Sequence, residues 1–222
     1  MIYLVLLLAL AAQGAAGLLL WRIVRPQANA VESFGMSLAL GTVTAVIFGI
    51  LLQPWTQWGW VAPGVISLIL YLIPRTRFAL FGMHVQRDCV GRGLVTALVL
   101  GGFLTAVSFG LSVRNYPLAW EGTWSGFHGD MPFFEALSRS IPLLGPFDSI
   151  FSPGQMIHYH WLTYAWAGQL TTSLDAPPFL VLTRVLPIIA MVAGVSLVAA
   201  WTRRLTSAVW APSLAVVLLL MG

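Results

Sequence analysis

Long apolar runs, separated by short polar segments, dominate the chain. They cover residues 2–20, 34–53, 60–73, 93–113, 185–201 and 207–222. A bilayer core of about 30 Å needs about 20 helical residues to cross it, so the longer runs are typical of membrane-spanning helices. They lack the apolar and polar alternation of outer-membrane β-strands. The pattern predicts an all-α, polytopic helical membrane protein.

Composition agrees with this class and excludes several chemistries. The mean hydropathy is +0.87, and only 8% of residues are charged. The chain has no lysine, which excludes a P-loop and Schiff-base chemistry. Its net charge of +4 comes from arginines grouped at the ends of runs, a membrane-topology signal rather than a nucleic-acid site. The single cysteine, Cys89, permits no internal disulfide.

Arginine positions predict the orientation of the chain. Arg22 and Arg25 follow the first run, and Arg203 and Arg204 follow run 185–201. Positive residues concentrate in cytoplasmic loops, so we expect the amino terminus and loop 114–184 to be exoplasmic, in a bacterial plasma membrane. The first run is interpreted as an uncleaved anchor, with a cleaved signal peptide as the alternative.

Two parts of the membrane domain follow from this topology. Residues 1–92 hold about three spans, and residues 93–222 hold a span, the exoplasmic loop 114–184 and two further spans. The last run, 207–222, has about 15 apolar residues and covers only about 22 Å as a helix, so we expect the protein to continue beyond it. In the second span, small residues four apart predict close approach of another helix: Ser37, Gly41, Ala45 and Gly49.

We expect short interfacial helices within the exoplasmic loop. Asp130 followed by Met131 and Pro132 is typical of a helix start. Apolar residues then follow at helical spacing, which predicts an amphipathic helix on the membrane surface. Segment 160–172 is apolar but too short to cross, so it should lie along the interface or dip into the bilayer without passing through.

The same loop concentrates the ionisable residues. It holds five of the chain's seven acids, Glu121, Asp130, Glu135, Asp148 and Asp175, and three of its four histidines, His128, His158 and His160. Such a concentration between apolar spans is a functional-site hypothesis. The alternative is structural, with Asp130 as a helix cap and Glu135 paired with Arg139 on the surface.

The order of spans, loop and short motifs in residues 93–222 resembles that around the first luminal loop of the GT-C superfamily of integral membrane glycosyltransferases. The matching stretches are 128–137 (HGDMPFFEAL), 157–168 (IHYHWLTYAWAG), 183–187 (TRVLP) and 203–205 (RRL). Tyr159 and His160 stand where that family commonly has two prolines.

The resemblance implies transfer of a sugar from a polyprenyl-phosphate donor to an exoplasmic glycan, lipid or protein acceptor. By that analogy Asp130 is the general base or a ligand of a divalent metal ion, and Glu135 is a second catalytic acid. Arg184 would bind the donor phosphate, His128 and His158 would help to bind substrate, and His160 would bind substrate or the metal. The bilayer and the lipid-linked sugar are the expected partners, without nucleic acid.

Two other interpretations stay open. The protein could be a non-enzymatic membrane component, such as a transporter half or an assembly subunit. It could also be a membrane protein whose histidine-rich outer loop binds a transition metal.

Overall fold

A computed structural model describes residues 2–52, 61–74, 76–77, 91–115, 131–145, 148–157 and 161–221. Within these ranges the chain forms helices and no strand. The helices are α1 (Ile2–Val24), α2 (Ala30–Leu51), α3 (Ala62–Leu72), α4 (Arg92–Asn115), α5 (Met131–Leu144), α6 (Trp161–Leu174), α7 (Pro178–Leu205) and α8 (Ala211–Met221).

Four helices are long and apolar enough to cross a membrane, in the stretches Tyr3–Val24, Ala30–Leu51, Arg92–Leu111 and Pro178–Leu205. The predicted class, an all-α membrane protein, is confirmed. Helices α3 and α8 are apolar but have only 11 residues each, about 16 Å of rise. They are shorter than a bilayer core.

The small-residue ridge of α2 packs as expected. A Cβ atom on Gly41 would overlap the backbone carbonyl of Gln13, and one on Gly17 would overlap the carbonyl of Ser37. Ala45 is fully buried on the same ridge. Helices α1 and α2 therefore touch backbone to backbone, because only glycine leaves room for this approach.

One end of the bundle holds the arginines at the ends of α1 and α7. Arg25, after α1, and Arg204, in the last turn of α7, both contact the carboxylate of Glu32 in the first turn of α2. At the same end, Gly93 of α4 lies against the backbone of Val209. We call this the arginine end and define it by Arg22, Arg25, Arg203 and Arg204.

Helices α5 and α6 form a layer over the opposite half of the bundle. Their apolar residues share one buried cluster with Leu6 of α1, Val46 of α2 and Val181 of α7. Phe134 stacks on Tyr164 at a ring distance of 5.1 Å, and one turn later Gly168 lies against the carbonyl of Ser138. The two contacts are four residues apart on each helix and follow in the same order along the chain. Helices α5 and α6 therefore run side by side in the same direction.

This packing identifies what covers the apolar stripe of α5. The helix is amphipathic as predicted, and Leu137 and Ile141 of that stripe are buried against other helices of the bundle. The apolar stripe predicts only that a helix will bury that side, not which partner will cover it. In α6, residues 164–171 are all buried inside the bundle.

The boundary of the expected loop also changes. Helix α7 begins at Pro178 and is continuous through Leu205. Arg184 therefore lies inside a span-length helix and not at the end of the loop that precedes it. Pro178, in the first turn, is favourable there because the first amides of a helix have no intrahelical acceptor.

Candidate functional site

Two of the six predicted site residues lie in the described parts of the chain. Asp130, His128, His158 and His160 lie outside the described residues. Glu135 and Arg184 lie within them, on α5 and α7.

Glu135 forms the surface ion pair that its spacing predicts. Its Oε1 accepts hydrogen bonds from Nε of Arg139 at 3.2 Å and from Nη2 at 3.1 Å. Both side chains are partly exposed, Arg139 more so. The geometry favours the structural interpretation of Glu135, because such pairs typically contribute less than about 1 kcal/mol.

Arg184 is 7% exposed and lies in a π-helical turn, Val181–Val185. The turn has a local cause, since Pro187 has no amide proton to donate to the Thr183 carbonyl four residues earlier. The amide of Leu186 instead donates to the carbonyl of Val181, five residues back. Nη1 of Arg184 lies 3.4 Å from the Thr183 carbonyl oxygen. Single π turns of this kind often occur at functional sites.

The first turns of α5 and α6 lie next to each other, as the stacking of Phe134 on Tyr164 shows. Helix α6 also contacts the π turn that carries Arg184. In sequence, Asp130 directly precedes the first residue of α5, and His160 directly precedes the first residue of α6. The described geometry thus brings together the two helix starts that these residues adjoin.

Sequence reasoning missed a polar contact in the interior of the bundle. Nε1 of Trp166 donates a hydrogen bond of 2.9 Å to Oε1 of Gln13, and both side chains are buried. Gln13 lies nine residues before Arg22, about 13 Å along α1, so α6 reaches halfway down that helix. The signal was available, because a glutamine interrupts an otherwise apolar run.

Gln169 is a second buried amide that the sequence did not mark. It is 4% exposed, and within the described part of the chain neither carboxamide atom has a hydrogen-bond partner. It packs against Gly49 of α2 and borders a small cavity of about 20 Å³. A water molecule fits a cavity of that size.

Glu32 is a further buried polar residue that was not predicted from the sequence. It is fully buried, although the arginines around it are partly exposed. Oδ1 of Asn29 accepts a hydrogen bond from the Glu32 amide at 2.8 Å and caps α2. An Asn followed three residues later by Glu is a capping signature that could have indicated this helix start.

Among the described residues, no three acids, cysteines or histidines group as metal ligands. All four histidines, His84 included, fall in the parts of the chain that are not described. Comparison of the chain with protein-family models, curated proteins and solved structures finds no match.

Proposed function

We propose that the protein is a membrane glycosyltransferase, which moves a sugar from a polyprenyl-phosphate donor to an exoplasmic glycan, lipid or protein acceptor. The proposal is supported by one observation above the others: α5 and α6 begin side by side. Asp130 immediately precedes the first of these helices, and His158 and His160 precede the second. Carboxylate and imidazole groups near each other can serve as a general base or bind a metal and phosphate.

The proposed roles follow the chemistry of each group. Asp130 takes the proton of the acceptor hydroxyl as that oxygen attacks the anomeric carbon, while the lipid phosphate leaves. Arg184 meets the donor phosphate, because a guanidinium offers paired donors that match phosphate oxygens. The burial of Arg184 in a π turn against α6 supports this role.

His128, His158 and His160 help to bind the donor in this scheme. A divalent metal ion, held by Asp130 and His160, would neutralise charge on the donor phosphate. The reaction takes place on the exoplasmic side of a bacterial plasma membrane, where loop 114–184 and the amino terminus lie in the proposed orientation.

Asp130→Asn tests the proposal, with Glu135→Gln as the matched control. Both substitutions remove one carboxylate charge from the same stretch of chain. In the full chain, reconstituted with a polyprenyl-phosphate sugar, we expect Asp130→Asn to lower transfer by about 10²–10⁴-fold, the usual size of a lost general base. Glu135→Gln should retain most of the transfer, because Glu135 pairs with Arg139. Near-normal transfer by the Asp130 variant, at normal membrane insertion, would remove Asp130 from the mechanism.

The alternative of a non-enzymatic component, such as a transporter half, has a specific observation in its favour. The polar contact between Gln13 and Trp166 and the π turn in α7 are interior polar and irregular features of the kind that transporters use. Substrate uptake into proteoliposomes, lost in Gln13→Leu and unaffected by Asp130→Asn, would favour this alternative.

A further inference from the structure

The arginine end carries more positive charge than its own contacts neutralise. Four arginines, Arg22, Arg25, Arg203 and Arg204, accompany one acid, Glu32. These five residues therefore leave three positive charges in excess. A compact excess of arginine at the ends of apolar helices is where an anionic group would be attracted most strongly.

Two of the arginines already donate hydrogen bonds to backbone carbonyl groups. Arg22 is 3% exposed and donates from Nη1 to the carbonyls of Pro26 and Ala28, each at 2.9 Å. Arg203 donates from Nη1 to the carbonyls of Thr206 and Ser207. Both side chains thus stabilise the turns that follow α1 and α7.

Arg25 and Arg204 differ from them, because only part of each guanidinium group contacts Glu32. Nε of Arg25 lies 3.5 Å from Oε1, and Nη2 of Arg204 contacts Oε2. The two side chains are 48% and 30% exposed, and each guanidinium has further N–H donors besides those at the nitrogen that contacts Glu32. Because one buried carboxylate holds both guanidinium groups, they stand close together before any ligand arrives.

The surroundings are those of a membrane boundary. Trp201, Leu205 and Trp210 are large apolar residues that lie exposed at the same end of α7 and in the turn that follows it. Exposed indoles beside arginines are typical of the level of lipid headgroups, where one side of the ring meets acyl chains. This rim favours a phosphate that arrives on a lipid over a phosphate free in solution.

We infer that the arginine end binds the phosphate of an anionic phospholipid between Arg25 and Arg204, with Glu32 holding the two guanidinium groups in place. The site does not depend on the proposed transferase activity, since it lies at the end of the bundle opposite to α5 and α6. Such a lipid would join the ends of α1, α2 and α7.

Native mass spectrometry of the detergent-purified full chain can test this site. We expect retention of a phosphatidylglycerol molecule in preference to phosphatidylcholine. Arg25→Gln should weaken that retention about fivefold, since one arginine near an anionic headgroup contributes about that much. Folding should survive, because Glu32 keeps its contact with Arg204. Arg139→Gln is the matched control, because that exposed arginine also faces one glutamate but lies on α5.

Three outcomes would overturn the inference. They are equal retention of the two lipids, equal losses in Arg25→Gln and Arg139→Gln, or displacement of phosphatidylglycerol by millimolar inorganic phosphate. The last would mean that the site recognises phosphate alone and not a lipid. Arg204→Gln, which leaves Glu32 its contact with Arg25, should weaken retention about as much as Arg25→Gln, because both arginines face one headgroup.

Discussion

Glu32 shows how one buried charge can join three helices. Its carboxylate meets Arg25 after α1 and Arg204 on α7, while its backbone amide is capped within α2. A carboxylate that loses all contact with water needs charged partners close by. The position of this acid therefore restricts how α1, α2 and α7 can meet.

Glu32→Gln should destabilise the protein by about 2 kcal/mol. The expected loss is smaller than the roughly 3–5 kcal/mol for breaking a fully buried pair, because both arginines can recover water. Thermal unfolding in detergent would measure it, with Glu135→Gln as the exposed control, expected to change stability by less than about 1 kcal/mol. Equal melting temperatures for the two variants would contradict this assignment.

A second prediction for a single residue concerns Gly41. Gly41→Ala should lower stability by about 1–2 kcal/mol, because the added methyl group overlaps the backbone of Gln13 and overpacking outweighs the gain in helix propensity. Gly14→Ala is the control, since nothing lies within 4 Å of a Cβ atom there. That variant should be neutral or slightly more stable. The melting temperature should fall for Gly41→Ala and should stay equal or rise for Gly14→Ala.

At the scale of elements, the α5 and α6 layer depends on contacts made inside the bundle. Helix α6 has 14 residues and is buried over most of its length, although its sequence has no strong apolar stripe. Its docking on α1 includes the hydrogen bond from Trp166 to Gln13. A polar pair in an apolar surrounding makes one arrangement of the two helices preferable to a rotated one.

Trp166→Phe should weaken this docking. The change removes the indole donor and leaves the buried Gln13 carboxamide without that partner, at an expected cost of about 1 kcal/mol beyond the loss of ring area. A double-mutant cycle with Gln13→Leu isolates the pair, because the second change removes the stranded amide. Additive losses in the cycle would mean that the hydrogen bond contributes nothing to the docking.

The whole molecule has two distinct ends. Arg22, Arg25, Arg203 and Arg204 lie at one, and the α5 and α6 layer lies toward the other. Since positive residues are retained on the cytoplasmic side, the arginine end should face the cytoplasm.

Cysteine labelling of intact cells tests that orientation. In a Cys89→Ser background, Ser152→Cys should react with a membrane-impermeant maleimide, because Ser152 is exposed on the α5 and α6 side. Ser207→Cys, exposed just after α7, should react only after permeabilisation. The reverse labelling pattern would invert the topology and exclude an exoplasmic transferase site at α5 and α6.

Much of the fold follows from the sequence alone. Apolar length defines the spans, because a helix that crosses a bilayer must be long and must satisfy its own backbone hydrogen bonds. The glycine ridge of α2 predicts a close helix contact, since missing side chains leave room that only backbone can fill. Charge pairing at helical spacing likewise gives the contact between Glu135 and Arg139.

Other features were decided only by tertiary structure. The partner of the α5 stripe, the depth of α6 and the meeting of Glu32 with Arg204 join residues far apart in the chain. A local pattern states what a residue must bury or pair with, but many partners satisfy that requirement equally well. Packing of the whole bundle selects one of them, because burial and charge pairing must be satisfied at every contact at once.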